Sequence, residues 1–205
     1  MLSFRIVSLT ALVATVAIFS GCASQVSNST YVPPRQGSYA NSTEMPYPFD
    51  EAWTKLVRAA SGTFFAIENF EKDSGLMTLS FSTSESDSIN CGTMNGQDYV
   101  SFWKGSGGNV SIQGKMNLLV SEVDSQTTLV TVNTRYIVSM ENEGYQYNWI
   151  TSQNQYYRNS LNMSFDSNGT GSDNVQLAAP GTTPTRTCAP TGEVESQVLA
   201  AIAGA

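Results

Sequence analysis

The amino-acid sequence predicts an α+β fold: an antiparallel β-sheet of about 4–6 strands, covered on one face by an N-terminal helix and a short C-terminal helix. Three observations predict it. Val110, Ile112, Met116, Leu118 and Val120 alternate with Ser111, Gln113, Lys115 and Asn117. After "SEVDSQT" the alternation resumes, with Val130, Val132, Tyr136, Val138 and Met140 set against Thr131, Asn133, Arg135 and Ser139. A period of two with one apolar face means two long strands joined by a tight turn, buried on one side and wet on the other. The third observation is a pair of helical stripes that suit the role of cover, Phe49, Trp53, Leu56, Val57 and Ala60 near the start and Val194, Val198, Leu199 and Ile202 at the end.

The chain has 205 residues, 40% hydrophobic and 13% charged, with a net charge of −7. Aromatic and β-branched residues are too plentiful for a disordered chain. Few lysines and arginines against an acidic excess argue against a nucleic-acid partner, because phosphates require a basic footprint. The same balance argues against electrostatic docking on anionic lipid, so any membrane attachment has to come from apolar groups.

Met1 to Arg5 is a short basic start, and Ile6 to Phe19 is an apolar run interrupted only by Ser8, Thr10 and Thr15. At about 14 residues the run is shorter than the ~20 needed to span a bilayer and has the size of a secretory h-region. Ser20 and Gly21 then precede Cys22. Small residues admit a signal peptidase, and a cysteine at that border offers a thiol for alkylation. "FSGC", residues 19–22, resembles the lipobox of bacterial lipoproteins, with Phe19 where leucine is usual. The resemblance implies a signal peptide at 1–21 and acylation of Cys22; an ordinary cleaved leader with a chance cysteine is the alternative reading. Two or more acyl chains anchor a protein stably, at about 0.8 kcal/mol for each buried CH₂. Ala23 and Ser24 follow, and by resemblance to Gram-negative lipoproteins the lack of Asp there implies a periplasm-facing anchor in the outer membrane. Loss of Arg5 with the leader leaves 17 acids against 9 bases, a net charge of −8.

Residues 22–45 read as a lipidated flexible tether, rich in Ser and Asn with a proline pair and no apolar period. Residues 46–205 read as a single α+β domain of roughly 160 residues, enough for a sizeable core. Its opening helix carries Asp50 and Glu51 in the first turn, where acids suit the positive helix end, and Gly62 is placed to stop it. Phe65 and Ile67 begin a strand, Asp73-Ser74-Gly75 signals a turn, and Met77, Leu79 and Phe81 line a second strand. The helix followed by a hairpin with "KDSGL" at its turn resembles BamC-like modules, found in the lipoprotein subunit of the outer-membrane β-barrel assembly machinery. The resemblance covers 49–81 and implies a fold rather than an activity. Tyr145 to Tyr157 is aromatic and Asn/Gln-rich, with a helix around Trp149 as one reading. Leu161, Met163 and Phe165 alternate as a strand, 167–187 reads as a loop, and Thr191 is the expected cap of the last helix.

Cys91 and Cys188 are the two remaining cysteines. In an oxidising compartment they are expected to pair, pinning the C-terminal helix to the loop after the first hairpin. The ending "CAPTGEVE" is also similar to that of uncharacterised lipoproteins of this type. A metal or redox role finds no support, since the chain has no histidine and no Cys-x-x-Cys. Without histidine, the Ser-His-Asp and Cys-His constellations and imidazole-bound zinc are impossible. "DSNGTGSD", bounded by Asp166 and Asp173, lacks EF-hand spacing and the terminal Glu, so it reads as a solvated loop. "GSGG" at 105–108 is followed by no lysine–hydroxyl pair and reads as a turn.

The expectation is therefore a non-enzymatic envelope lipoprotein with no catalytic residue, cofactor or metal, acting as an interaction or accessory module toward another envelope protein or peptidoglycan. The alternative is a carrier enclosing an apolar small ligand between helix and sheet. A carrier needs an apolar cavity of a few hundred Å³. An interaction module needs a filled core and an exposed aromatic patch, for which Trp103, Tyr147, Trp149, Tyr156 and Tyr157 are the candidates.

Overall fold

A computed structural model describes residues 30–175 and 184–204. Two short strands come first, β1 (Tyr31–Val32) and β2 (Ser42–Met45), followed by helix α1 (Phe49–Ser61) and the hairpin β3 (Ala66–Glu71) and β4 (Leu76–Thr83). Three two-residue strands, β5 (Ile89–Asn90), β6 (Thr93–Met94) and β7 (Gln97–Asp98), lead into helix α2 (Tyr99–Gly105). The long strands are β8 (Asn109–Asp124), β9 (Thr127–Asn148) and β10 (Gln153–Asp166). Strands β11 (Gly171–Asn174) and β12 (Thr185–Pro190) and helix α3 (Glu193–Ala203) close the chain.

The fold is α+β. Its main sheet has six strands in the order β10-β9-β8-β4-β3, with β2 also paired to β9, and all pairs are antiparallel. Strand β8 occupies one edge of β9 from Thr127 to Glu141. On the other edge β10 pairs from Arg135 upward and β2 pairs with 128–131, so the two lie end to end. The alternation read from sequence is the pleat itself: Ile112, Met116, Leu118, Val130, Val132, Tyr136, Val138, Met140 and Leu161 are all fully buried on one face.

Helices α1 and α3 pack on each other and on this face, and α2 packs on β8. Helix α1 buries Ala52, Trp53, Leu56 and Ala60, and Phe49 stacks on Trp53 with ring centroids 6.1 Å apart. Full burial of a side chain such as Leu56 contributes about 1.5–3 kcal/mol. Asp50 and Glu51 stand in the first turn and the Gly62 N–H closes the last, as expected. Gly75, at φ +66°, shapes the β3–β4 turn and accepts a 2.8 Å hydrogen bond from the Val120 N–H of β8. A Cβ there would overlap the Val120 carbonyl oxygen. Gly75→Ala is expected to cost about 1–3 kcal/mol in urea unfolding, from the left-handed backbone and that overlap together.

Four sequence expectations are corrected, and one further helix is found. The tether does not run free to residue 45: from Thr30 onward the chain lies on the fold, with β1 paired to β6 and β2 to β9. Tyr145 to Tyr157 is not helical but forms the outer part of the β9–β10 hairpin. The 167–187 loop contains β11 and the start of β12, which pair with each other. Helix α2 was not foreseen. It is capped by Asp98, whose Oδ2 accepts from the Ser101 N–H at 2.8 Å. The cap of α3 is Gly192 at φ +81°, not Thr191; the Thr191 hydroxyl accepts from Glu193 N–H and donates to the Asp87 carbonyl.

Candidate interaction surface

The expected disulfide is present. Cys91 and Cys188 are bonded, 97 residues apart in sequence, and both are fully buried. Strand β12 carries Cys188 against β5, so the bridge ties the approach to α3 to the loop after β4. The N-terminal segment docks on the same place: the Tyr31 hydroxyl donates to the carbonyls of Cys91 and Thr187, both at 3.0 Å. Arg186, nearly buried, lies 4.3 Å from the Tyr31 ring centroid and 5.5 Å from that of Tyr99, a cation set against a pair of aromatic rings. Cys22, the expected lipid-attachment residue, lies outside the described residues, as does the signal segment 1–21.

A second polar cluster is buried under α3. Glu195, fully buried in the first turn of the helix, accepts from the Tyr136 hydroxyl with both carboxyl oxygens at 2.9 Å. Burial raises the Tyr136 phenol pKa far above its usual range, and the Glu195 charge adds to it. Tyr39 is raised by the same two causes, and its hydroxyl donates to the Ser167 carbonyl at 2.5 Å.

The five aromatic candidates separate by their place in the fold. Trp103 is core: it is 5% exposed on α2, and Gly108 leaves room for its ring, since any Cβ at 108 would overlap it. Tyr157 is half-buried near the hairpin base, where its hydroxyl donates to Asn142 Oδ1 at 3.4 Å. Tyr147, Trp149 and Tyr156 are exposed, and Tyr145 and Ile150, which the residue pattern had not singled out, join them.

These five sit on one projection. Strand β8 begins opposite Glu141, so beyond that point β9 and β10 continue as a two-stranded hairpin. From Glu141 to Asn148 the strand rises about 24 Å at ~3.4 Å per residue. Isolated two-stranded hairpins are marginal, and this one is braced along its length. Arg158 pairs with Glu141 at 2.7 Å, Tyr156 donates to Glu143 at 2.5 Å, and Tyr145 meets Tyr156 edge-on at 5.6 Å. The hydrogen bond to Glu143 raises the Tyr156 pKa. At the tip, Asn148 Oδ1 accepts from the Ile150 and Thr151 N–H groups and its amide donates to Gln155. That turn leaves Trp149 86% and Ile150 95% exposed, with the Trp149 ring set edge-on to Tyr147 at 5.1 Å.

The core behind this projection is filled. The space between α1, α3 and the sheet, lined by Leu56, Ala60, Phe65, Leu79, Leu118 and Val198, is about 10 Å³. The larger concavity, about 550 Å³, is an open groove on the solvent face of the sheet. Its walls mix Phe64 and Ile137 with Glu68, Gln113, Lys115 and Arg135, and Lys115 pairs with Glu68 at 2.8 Å. Among the described residues no cluster of Cys, Asp and Glu is placed to hold a metal, and Asp173 instead accepts from the Asn162 and Asn174 N–H groups. No described helix is long and apolar enough to cross a membrane. No family model, curated protein or solved structure matches the chain.

Proposed function

We propose that this chain is an acylated lipoprotein of the outer membrane, facing the periplasm and anchored through Cys22, that serves the cell envelope as a non-enzymatic interaction or accessory module. The observation that carries the reading is the pairing of a filled core with the exposed aromatic hairpin tip. A carrier would need a few hundred Å³ between helix and sheet, whereas about 10 Å³ lies there, room for a single water. The groove on the far face is open to solvent and mixes Phe64 and Ile137 with polar groups and the Lys115–Glu68 pair, which favours a contact module over an enclosing carrier. A tip of Tyr145, Tyr147, Trp149, Ile150 and Tyr156 is instead the kind of exposed apolar patch that marks a contact surface. The lipobox-like "FSGC" supports the anchor, and the buried disulfide fits a chain that matures in an oxidising compartment.

The anchor is tested by replacing Cys22 with serine and fractionating cells. The wild-type protein is expected in the outer-membrane fraction, resistant to high salt and alkaline washing and labelled by radioactive palmitate. Cys22→Ser should lose the label and leave that fraction. Recovery of the wild type as a free, unlabelled periplasmic protein overturns the proposal.

A further inference from the structure

We infer that the β9–β10 hairpin tip docks into the headgroup region of the same bilayer that holds Cys22, with Trp149 and Ile150 inserted and Tyr145, Tyr147 and Tyr156 at the polar boundary. The inference rests on the acylation of Cys22 proposed above. The first argument is the length of chain between the anchor and the fold. The N-terminal segment climbs alongside β9 toward the tip. Ser42 is level with Thr131, the Tyr39 hydroxyl reaches Ser167 beside Thr134, and Tyr31 reaches Thr187. Thr187 pairs with Ser172, and the adjoining Asp173 bonds the Asn162 N–H, level with Ser139 of β9. The chain therefore leaves the fold at about residue 139 of β9, and the tip at Asn148 stands about 30 Å further along the strand. Eight Cα-to-Cα steps lead from Cys22 to Thr30, and no backbone of that length spans more than about 29 Å. A bilayer on the tip side of the fold and holding Cys22 therefore lies no further out than the tip, within reach of the hairpin.

The second argument is charge. Between Glu143 and Arg158 the sequence contains no Asp, Glu, Lys or Arg, although charges flank both sides. A charge in the bilayer costs several kcal/mol, and this tip brings none. Its residues are those that settle at a membrane interface, where Trp and Tyr place an apolar body in the acyl boundary and a polar end in water. With a net charge of −8 after loss of the leader the chain gains nothing from anionic lipid, so the attraction is apolar and insensitive to salt.

The test uses a built-in reporter. Of the three tryptophans, Trp53 and Trp103 are 5% exposed and Trp149 is 86% exposed. The acylated mature protein is reconstituted into phosphatidylcholine vesicles, and flotation and tryptophan quenching are measured on the same sample. The expected result is flotation, a severalfold fall in acrylamide quenching relative to detergent-free protein released by protease, and new quenching by brominated acyl chains. All three should be unchanged by salt, and the lipid quenching should vanish in Trp149→Phe. Ile150→Asp should still float but regain acrylamide quenching. Flotation with Trp149 still open to acrylamide overturns the docking and leaves the anchor intact. Failure to float overturns both. Protection of Trp149 by added peptidoglycan fragments or by another envelope protein, and not by vesicles, overturns the docking in favour of that partner.

Discussion

Replacing both bridge cysteines by alanine lowers the unfolding free energy by up to about 4–5 kcal/mol. The disulfide joins residues 97 apart, and the cost of closing so long a loop in the unfolded chain sets that upper value. Engineered losses are often smaller, because the reduced unfolded state keeps structure of its own. Three further contacts depend on the bridge. Tyr31 bonds the carbonyls of Cys91 and Thr187 and receives the Thr187 N–H, so β1 is held by the backbone that the bridge positions. The variant should therefore show a lower urea midpoint and a steeper denaturant slope, since an uncrosslinked unfolded chain exposes more surface. Faster amide exchange should be confined to 30–32, β5 and β12 under native conditions. An unchanged midpoint would mean that the bridge contributes nothing to the stability of the fold.

Tyr136→Phe has the second large effect, about 3 kcal/mol. The substitution removes one hydroxyl and keeps the ring, which stacks on Phe165 at 5.4 Å and meets Phe81 edge-on. What it leaves is Glu195, fully buried, without the phenol proton its two carboxyl oxygens share. A buried acceptor left unpaired costs about 1–3 kcal/mol, and more when it carries charge. Glu195→Gln should be milder, because an amide oxygen can still accept from the phenol. The same cluster governs the response to alkali. The Tyr136 and Tyr39 phenols titrate far higher in the folded protein than their ordinary value of 10.0. The unfolded chain therefore loses these protons first. Their contribution is complete below pH 10.0 and declines as pH rises beyond it. Urea midpoints should be level from neutral pH to about 9 and fall above 10, and the fall should be shallower in Tyr136→Phe. A Tyr136→Phe protein with wild-type stability would show that Glu195 finds another donor.

The elements read correctly from sequence are those with one buried face. Over 110–140 most apolar residues return to the same side every second position, Leu119, Val123 and Ile137 being exposed exceptions, and α1 and α3 show the helical counterpart, so composition and spacing carry the pattern. The outer hairpin gave no such signal because neither of its faces is buried. Tyr, Gln and Asn serve a two-stranded ribbon in water as well as they would a helix, and only pairing with 153–160 makes 141–148 a strand. Helix α2, at seven residues, is too short for a periodic stripe, so Trp103 looked like a surface aromatic. Strand β2, "STEM", reads as linker until the edge of β9 supplies its partners.

The candidate surface divides along the same line. Composition marks Trp149, Tyr147 and Tyr156, whereas Tyr145 and Ile150 join them only because the turn at 149–152 raises all five together. No spacing rule links Tyr136 to Glu195, 59 residues apart, because the bond forms only when α3 lies across β9.

Local chemistry was enough to establish an α+β chain with an amphipathic sheet, two covering helices and a cysteine pair suited to a bridge, since each depends on neighbours within a few residues or on simple elimination. Which strand edges remained open for 30–45, which tryptophan was buried and which exposed, and how far a hairpin extends past its sheet were decided by packing at long range. Those features depend on which distant surfaces exclude water from one another, and a linear pattern holds no record of that.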